Sequence, residues 1–329
     1  METSKLDLEN LIQGFRLSCQ TEGKSPKTID WYNDFLNGFR KFLTFKGFPS
    51  DLDQINRDHI RLYIAYLQNE ARTRRGSKPL SPATIQGAVR TLKAFFSWAL
   101  REEYIESNPM ARIPVPRAVS KIVNTYTQEQ ITNLIALCNS SSDSGCRNLA
   151  ILLLLLDTGI RVSELVGIEL SDVNLTDGYI KIRHAKGGRE RLIPIGSLVQ
   201  KSLWKYINSS RPKPLTQRVT RLFLGNHGMP LTRSGVQQMI RRYGKQVHID
   251  GVRCSPHTFR HTFSKHYLLN GGDIFSLQRI LGHSSLASVR NYLNLFAIDI
   301  KKQHQRFSPV DNLTENRSIY SKLQSRITY

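Results

Sequence analysis

Acid is short in this sequence relative to base: 26 Asp and Glu stand against 47 Lys and Arg in 329 residues, a formal charge of +21 and a pI near 10.1. Such an excess repels itself in a compact chain unless a polyanion neutralises it. Nucleic acid is therefore the first expected partner, with an anionic membrane surface as the rival. Cysteine is scarce too. Cys19, Cys138, Cys146 and Cys254 are scattered without a Cys-x-x-Cys pair, which excludes a disulfide frame or a thiolate zinc site and fits reduced intracellular thiols. No apolar run approaches the roughly 18 residues a membrane span needs, and the densest, Ile151 to Leu156, is far too short. Met1 to Asn10 is polar and lacks a signal core, so neither membrane insertion nor export is expected.

What is present reads as two domains, for which the length is ample. The phrase Ser-Pro-x-Thr-Ile occurs at Ser25 and again at Ser81. Ser caps, Pro takes the first helical position, and a helical apolar pattern follows, through Ile29, Phe35, Phe39 and Phe42 in the first and Ile85, Val89, Leu92 and Phe96 in the second. Ile60, Ile64 and Leu67 mark a further helix, and Leu6 to Phe15 another. Residues 1–111 thus read as a small all-helical domain, its last helix ending at Asn108–Pro109. Helix starts carry free N–H groups, so Lys27 and Thr28 at one cap, and Thr84 and Arg90 at the other, are candidate phosphate contacts; ordinary caps on an ordinary bundle are the alternative. Arg74, Arg75 and Lys78 form a basic loop that could serve the same purpose or simply be solvated. Residues 112–125, with Pro114 and Pro116, read as an extended linker. Thr127 with Gln130 makes a capping box that opens a second domain over 126–298, and a polar tail fills 299–329.

In the second domain Leu149 to Leu156 suits a helix buried on all sides, stopped by Thr158 and Gly159. Arg161 opens the next helix in T-G-I-R-V-S-E-L. Arg161 and Glu164 could be no more than an i,i+3 ion pair. Residues 178–195 alternate, turn through Gly-Gly and return, which is a hairpin with Lys186 at its tip and Arg189 and Arg191 close behind as further candidates for a phosphate. From Leu231 to Gln246 a helix sets Val236, Met239, Ile240 and Tyr243 on one side and Arg233, Gln237, Gln238, Arg241 and Arg242 on the other. Arg and Gln can bond bidentately to guanine and adenine edges, so this helix is the candidate for the major groove, against the plain reading of a charged outer face.

Ser255 and Pro256 then cap a helix on which His257 and Arg260, three apart, would share a face and point at one anion. Gly271 and Gly272 break the chain, Asp273 caps a second helix, and Gly282 ends it just ahead of His283. A third helix from about Ser285 would carry Tyr292 beside its apolar stripe, able to present its hydroxyl outward.

H-T-F-R-H, then L-G-H, then a tyrosine nine residues later resembles the carboxy-terminal signature of the tyrosine recombinases, or phage-integrase family. T-G-x-R-x-x-E-L and a hairpin lysine ahead of a proline-containing strand are two independent points of the same resemblance. The resemblance implies a mainly α fold with a small β-hairpin or sheet: a helical, SAM-like core-binding domain followed by an α+β catalytic domain. It implies Arg161, Arg260 and His283 on the scissile phosphate, Tyr292 as nucleophile, Lys186 as the acid for the leaving oxygen and Glu164 bracing the arginines, with His257 either a base or a structural member of the pocket. It implies a 3′-phosphotyrosyl intermediate, no metal and no cofactor, and a prokaryotic cytoplasmic enzyme on the nucleoid. Its partner would be double-stranded DNA with inverted-repeat core sites, met by a tetramer of this chain, the tail packing on a neighbouring subunit. Integration, excision or transposition of a mobile element is the expected role, with Xer-like chromosome dimer resolution or a non-catalytic DNA-binding relative as alternatives. A zinc site from His257, His261 and His283 is disfavoured, because the Arg260 guanidinium shares that surface and no Glu follows His257. A type IB topoisomerase shares the chemistry but not the separate helical domain.

Overall fold

The computed structural model describes residues 7–73, 76, 78–117, 123–139, 141–183, 190–282, 304, 308 and 309. The chain divides into two compact units, Met1–Lys121 and Ile122–Tyr329.

The first unit is helical: α1 Leu8–Thr21, α2 Pro26–Lys46, α3 Arg57–Asn69 and α4 Pro82–Arg101. The twin Ser-Pro phrases act alike. Ser25 Oγ accepts from Thr28 N at 3.2 Å and Ser81 Oγ from Thr84 N at 3.1 Å, satisfying one otherwise orphaned amide in each first turn. The core carries a cluster of aromatic rings among aliphatic side chains. Phe15, Phe39, Phe42, Tyr63, Phe95, Phe96 and Trp98 are buried in it, and each such side chain contributes about 1.5–3 kcal/mol by leaving water. One expectation is corrected here: α4 does not run to Asn108 but stops at Arg101, where Glu102 caps it and Glu103 takes a left-handed φ of +60°.

The second unit holds α5 Gln128–Ala136, α6 Asp143–Thr158, α7 Val162–Leu165, β1 Val173–Asn174, β2 Tyr179–Ile182, β3 Arg191–Pro194, α8 Ser197–Lys205, α9 Arg233–Gln246, α10 Pro256–Leu269 and α11 Ile274–Leu281. Helix α6 is central, as its apolar run requires: Ile151, Leu152, Leu154 and Leu155 are all at most 1% exposed, and α5, α8 and α10 pack around it. The hairpin is the larger part of a three-stranded antiparallel sheet, order β1-β2-β3, with β1 added to the edge of β2. Its register sets Ile180 opposite Ile193 and Ile182 opposite Arg191. Side chains alternate across a strand, so Arg191 shares the inward face with Ile182, Ile193 and Ile195, while Leu192 faces solvent. The fold is mainly α with a small sheet, as the sequence implied.

Candidate active site

The site is built where three chain turns meet. Helix α6 ends at Gly159, whose φ of +59° a side chain would resist, and the chain then turns so that Arg161 stands at the N-cap of α7. Glu164, in the first turn of that helix, reaches back to Arg161: Oε2 accepts from Arg161 N at 3.0 Å and Oε1 from Arg161 Nη1 at 2.8 Å. The pair is therefore not a surface ion pair. Glu164 is 4% exposed, and its other partner is Arg191, whose Nη1 and Nη2 donate to Oε1 and Oε2 at 3.1 and 2.8 Å. Burial alone would push the Glu164 carboxyl up. The Arg191 hydrogen bonds, the Arg161 amide and the charges of both guanidiniums outweigh it and hold the group below its usual value, ionised at neutral pH.

Helix α10 begins as expected, with Ser255 Oγ accepting from Thr258 N and Pro256 first in the helix. Its two site residues differ in burial. Arg260 is 5% exposed and turned inward, Nη1 donating to Gly159 O at 2.8 Å and Nη2 to Leu281 O at 2.9 Å, whereas His257 in the first turn is exposed. Three residues advance a helix by about 300°, and here the inward turn of Arg260 leaves His257 at the rim. Partial desolvation, then the charges of Arg260, Arg253 and Arg161, hold the His257 ring below its ordinary pKa, hence neutral at pH 7.

Helix α11 is capped by Asp273, whose Oδ1 accepts from Phe275 N and Ser276 N, and closes at Gly282 in the left-handed region, φ +63°. Its last carbonyls gather the arginines. Ile280 O accepts from Arg191 Nε at 3.0 Å, Leu281 O from Arg161 Nη1 at 3.3 Å as well as from Arg260, and Gly282 O from Arg161 Nη2 at 3.5 Å. Three guanidiniums from three elements thus cap the negative end of one helix, and two of them, those of Arg161 and Arg191, share the Glu164 carboxylate. Such a cluster favours an oxyanion and can offer it planar, paired donors.

A cavity of about 510 Å³ opens at the start of α10, lined among others by His257, Thr258, His261, Arg253, Gln237 and Arg241. This brings two members of α9 to His257; Arg233, Gln238 and Arg242 lie on the exposed part of that helix, the amide of Gln238 engaged by Ser234 Oγ and Arg242 lying over the Tyr243 ring. In the helical unit Lys27, Lys78 and Arg90 are exposed and Thr28 and Thr84 sit within their caps, while Lys24 is engaged by Glu22. Lys186, His283, Tyr292, Arg74 and Arg75, like the helix expected from Ser285, lie outside the described residues.

Two residues beside the site were not singled out for their actual place. Arg191 is buried against Glu164 instead of open to a phosphate, a position its strand parity with Ile193 and Ile195 could have shown. Arg253, in the loop before the Ser255 cap, joins the cavity wall; no periodic signal marks it.

A two-domain chain whose second unit gathers arginines around one helix end is the layout of a known class of DNA strand-exchange enzymes. Residues 124–297 match the model of the Phage integrase family, and residues 11–106 that of its N-terminal SAM-like domain. The chain belongs to the phage integrase family and is a tyrosine site-specific recombinase. It is 33% identical over 304 residues to the tyrosine recombinase XerD of Staphylococcus haemolyticus, covering 92% of this chain and 99% of that one. Its fold is also that of the XerH site-specific recombinase bound to palindromic difH substrate in a post-cleavage complex, at TM-score 0.72 and 18% identity over 94% of this chain and 98% of the other. The Tn1549 transposon integrase in complex with circular intermediate DNA aligns at TM-score 0.69 and 21% identity over 87% and 95%.

Proposed function

We propose that this recombinase cuts double-stranded DNA at paired inverted-repeat core sites, as a tetramer, through a bond between Tyr292 and the 3′-phosphate, and moves a mobile element into or out of a replicon. The observation that carries the chemistry is the convergence of Arg161 and Arg260 on the single carbonyl oxygen of Leu281, which sets two guanidiniums side by side. A phosphodiester under attack gains negative charge on its non-bridging oxygens, and preorganised donors there lower the barrier. Arg161, Arg260 and His283 take those oxygens. The Tyr292 oxygen bonds to phosphorus as the bond from phosphorus to O5′ breaks. Lys186 supplies the proton that O5′ needs. An ordinary phenol, with a pKa of about 10, is almost wholly protonated at pH 7, and neutral His257 is the group able to accept its proton. The phosphotyrosine retains the energy of the broken bond, so a 5′-hydroxyl can reverse the step without metal or nucleotide.

Cleavage itself is tested by incubating the protein with nicked half-site DNA, without metal or ATP, and mapping any covalent adduct. An adduct on Tyr292, lost in Tyr292→Phe while DNA binding persists, is expected; binding without adduct would leave a DNA-binding relative. A second reading of the biological role, chromosome dimer resolution, draws on the full-length similarity to XerD. Mapping adducts across the host genome separates the two: adducts at the ends of one element support the first reading, and adducts at one chromosomal site outside any element support the second.

A further inference from the structure

Arg191 is a largely buried cation that the chemistry above does not use. Its side chain is 12% exposed, against 24% for Arg161, and it faces inward because the register sets it opposite Ile182. Its three donor positions are all directed: two to the two oxygens of Glu164 and Nε to the carbonyl of Ile280 in the last turn of α11. The guanidinium also lies flat against Gly282, where an added Cβ would come within 2.8 Å of Nη1. His283 is the next residue. On its other side Arg191 is the first residue of β3, five residues after Lys186 in the sequence, and Lys181 Nζ pairs with Glu190 Oε2 beside it at 2.7 Å.

We infer that Arg191 is a positioning residue for strand cleavage: it holds the buried Glu164 carboxylate and ties β3 to the end of α11, so that Arg161 and the chain at His283 are aimed together. This rests on the reading that Arg161 takes the phosphate. Without Arg191, Glu164 would be left with Arg161 as its cationic partner, and that guanidinium would be drawn from the phosphate to the carboxylate. The Arg191 guanidinium meets both oxygens of Glu164 whereas Arg161 Nη1 meets one, in accord with that division of labour. A lysine could neutralise Glu164 but could not make three divergent planar contacts.

The test uses the full chain with Arg191→Lys, Glu164→Gln, and both Arg191→Met and Glu164→Gln together, the last so that no buried carboxylate is stranded and folding survives. Thermal stability, affinity for a half-site and the single-turnover rate of adduct formation at saturating protein are measured for each. Affinity within about threefold of the parent and a rate at least about thirtyfold lower are expected for Arg191→Lys, the signature of an interaction needed only in the transition state. The combined variant should be about as slow as Glu164→Gln alone, because the two residues act as one unit. Rates within about threefold of the parent, independent multiplying effects, or a parallel collapse of stability, affinity and rate in every variant would each overturn the inference. A parent protein that forms no adduct at Tyr292 would instead remove the cleavage reading on which it rests.

Discussion

The two units bury different things. In the helical unit aromatic rings meet one another within a largely aliphatic interior: Phe15 meets Tyr32, Phe95 and Trp98, and Phe42 meets Tyr63 and Tyr66, while the charged pairs sit at the surface, as Arg101 does with Glu22. Thr91 is its one buried polar side chain among the described residues. The catalytic unit is built around aliphatic α6, yet Glu164, Asp172, Arg260, Asn148 and Thr262 are all buried within it. A charge that has left water must be paired or hydrogen-bonded, at a cost of several kcal/mol if it is not. Such an arrangement is tolerated where something other than stability is served, and it separates the unit that presents a surface from the unit that performs chemistry.

Exchanging one arginine in each unit should give the largest contrast. Arg260→Gln removes a preorganised donor and is expected to lower single-turnover adduct formation by about 100- to 1,000-fold with DNA affinity little changed. Arg101→Gln breaks a pair whose arginine is 60% exposed and should leave the rate unaltered, such pairs being worth about 0–1 kcal/mol. Equal losses in the two variants would show that the buried and exposed cations are not functionally distinct.

Glycine caps allow the same comparison on stability. Gly47 ends α2 at φ +68° with nothing within 4 Å of an added Cβ, whereas Gly159 ends α6 at φ +59° with Phe263 Cδ1 only 2.5 Å and Leu281 Cδ2 only 3.0 Å away. Gly47→Ala then meets backbone strain alone, about 1 kcal/mol. Gly159→Ala meets strain plus overpacking, about 2–4 kcal/mol, and shifts the turn that sets Arg161. Urea denaturation followed by separate probes in each unit checks this, and Gly159→Ala should also slow cleavage.

Much of this was legible in residues that act locally. Ser25, Ser81, Thr127, Ser255 and Asp273 all cap as their sequence neighbourhoods indicate, and Gly159 and Gly282 both close helices in the left-handed region. What escaped depends on distant partners. Two-residue β1 carries no period to detect. The i,i+3 spacing of His257 and Arg260 says that they are near one another on a helix, but not that Gly159 and Leu281 carbonyls draw one of them inside. Glu164 as a brace for the arginines is part of the T-G-x-R-x-x-E-L resemblance; that it is shared with β3 follows from the strand register.

The smallest expected effect concerns the cation that spacing did not reveal. His257 is faced by Arg260, Arg253 and Arg161, with His261 one helical turn away, and desolvation and these charges lower its pKa from the ordinary value near 6.5. A lowered pKa means the proton is lost earlier as pH rises, so the ring can accept a proton throughout the neutral range. Adduct formation should therefore fall only as the pH drops below about 6.5, where His257 becomes cationic. Arg253→Gln removes one of the charges that disfavour the imidazolium. The acidic limb of the pH–rate profile should then move to higher pH, while the plateau rate changes by less than about threefold. A limb that stays in place would show that the proton is accepted elsewhere. A limb that moves to lower pH would mean that Arg253 stabilises the charged ring, which a guanidinium at the same cavity wall cannot do by its charge.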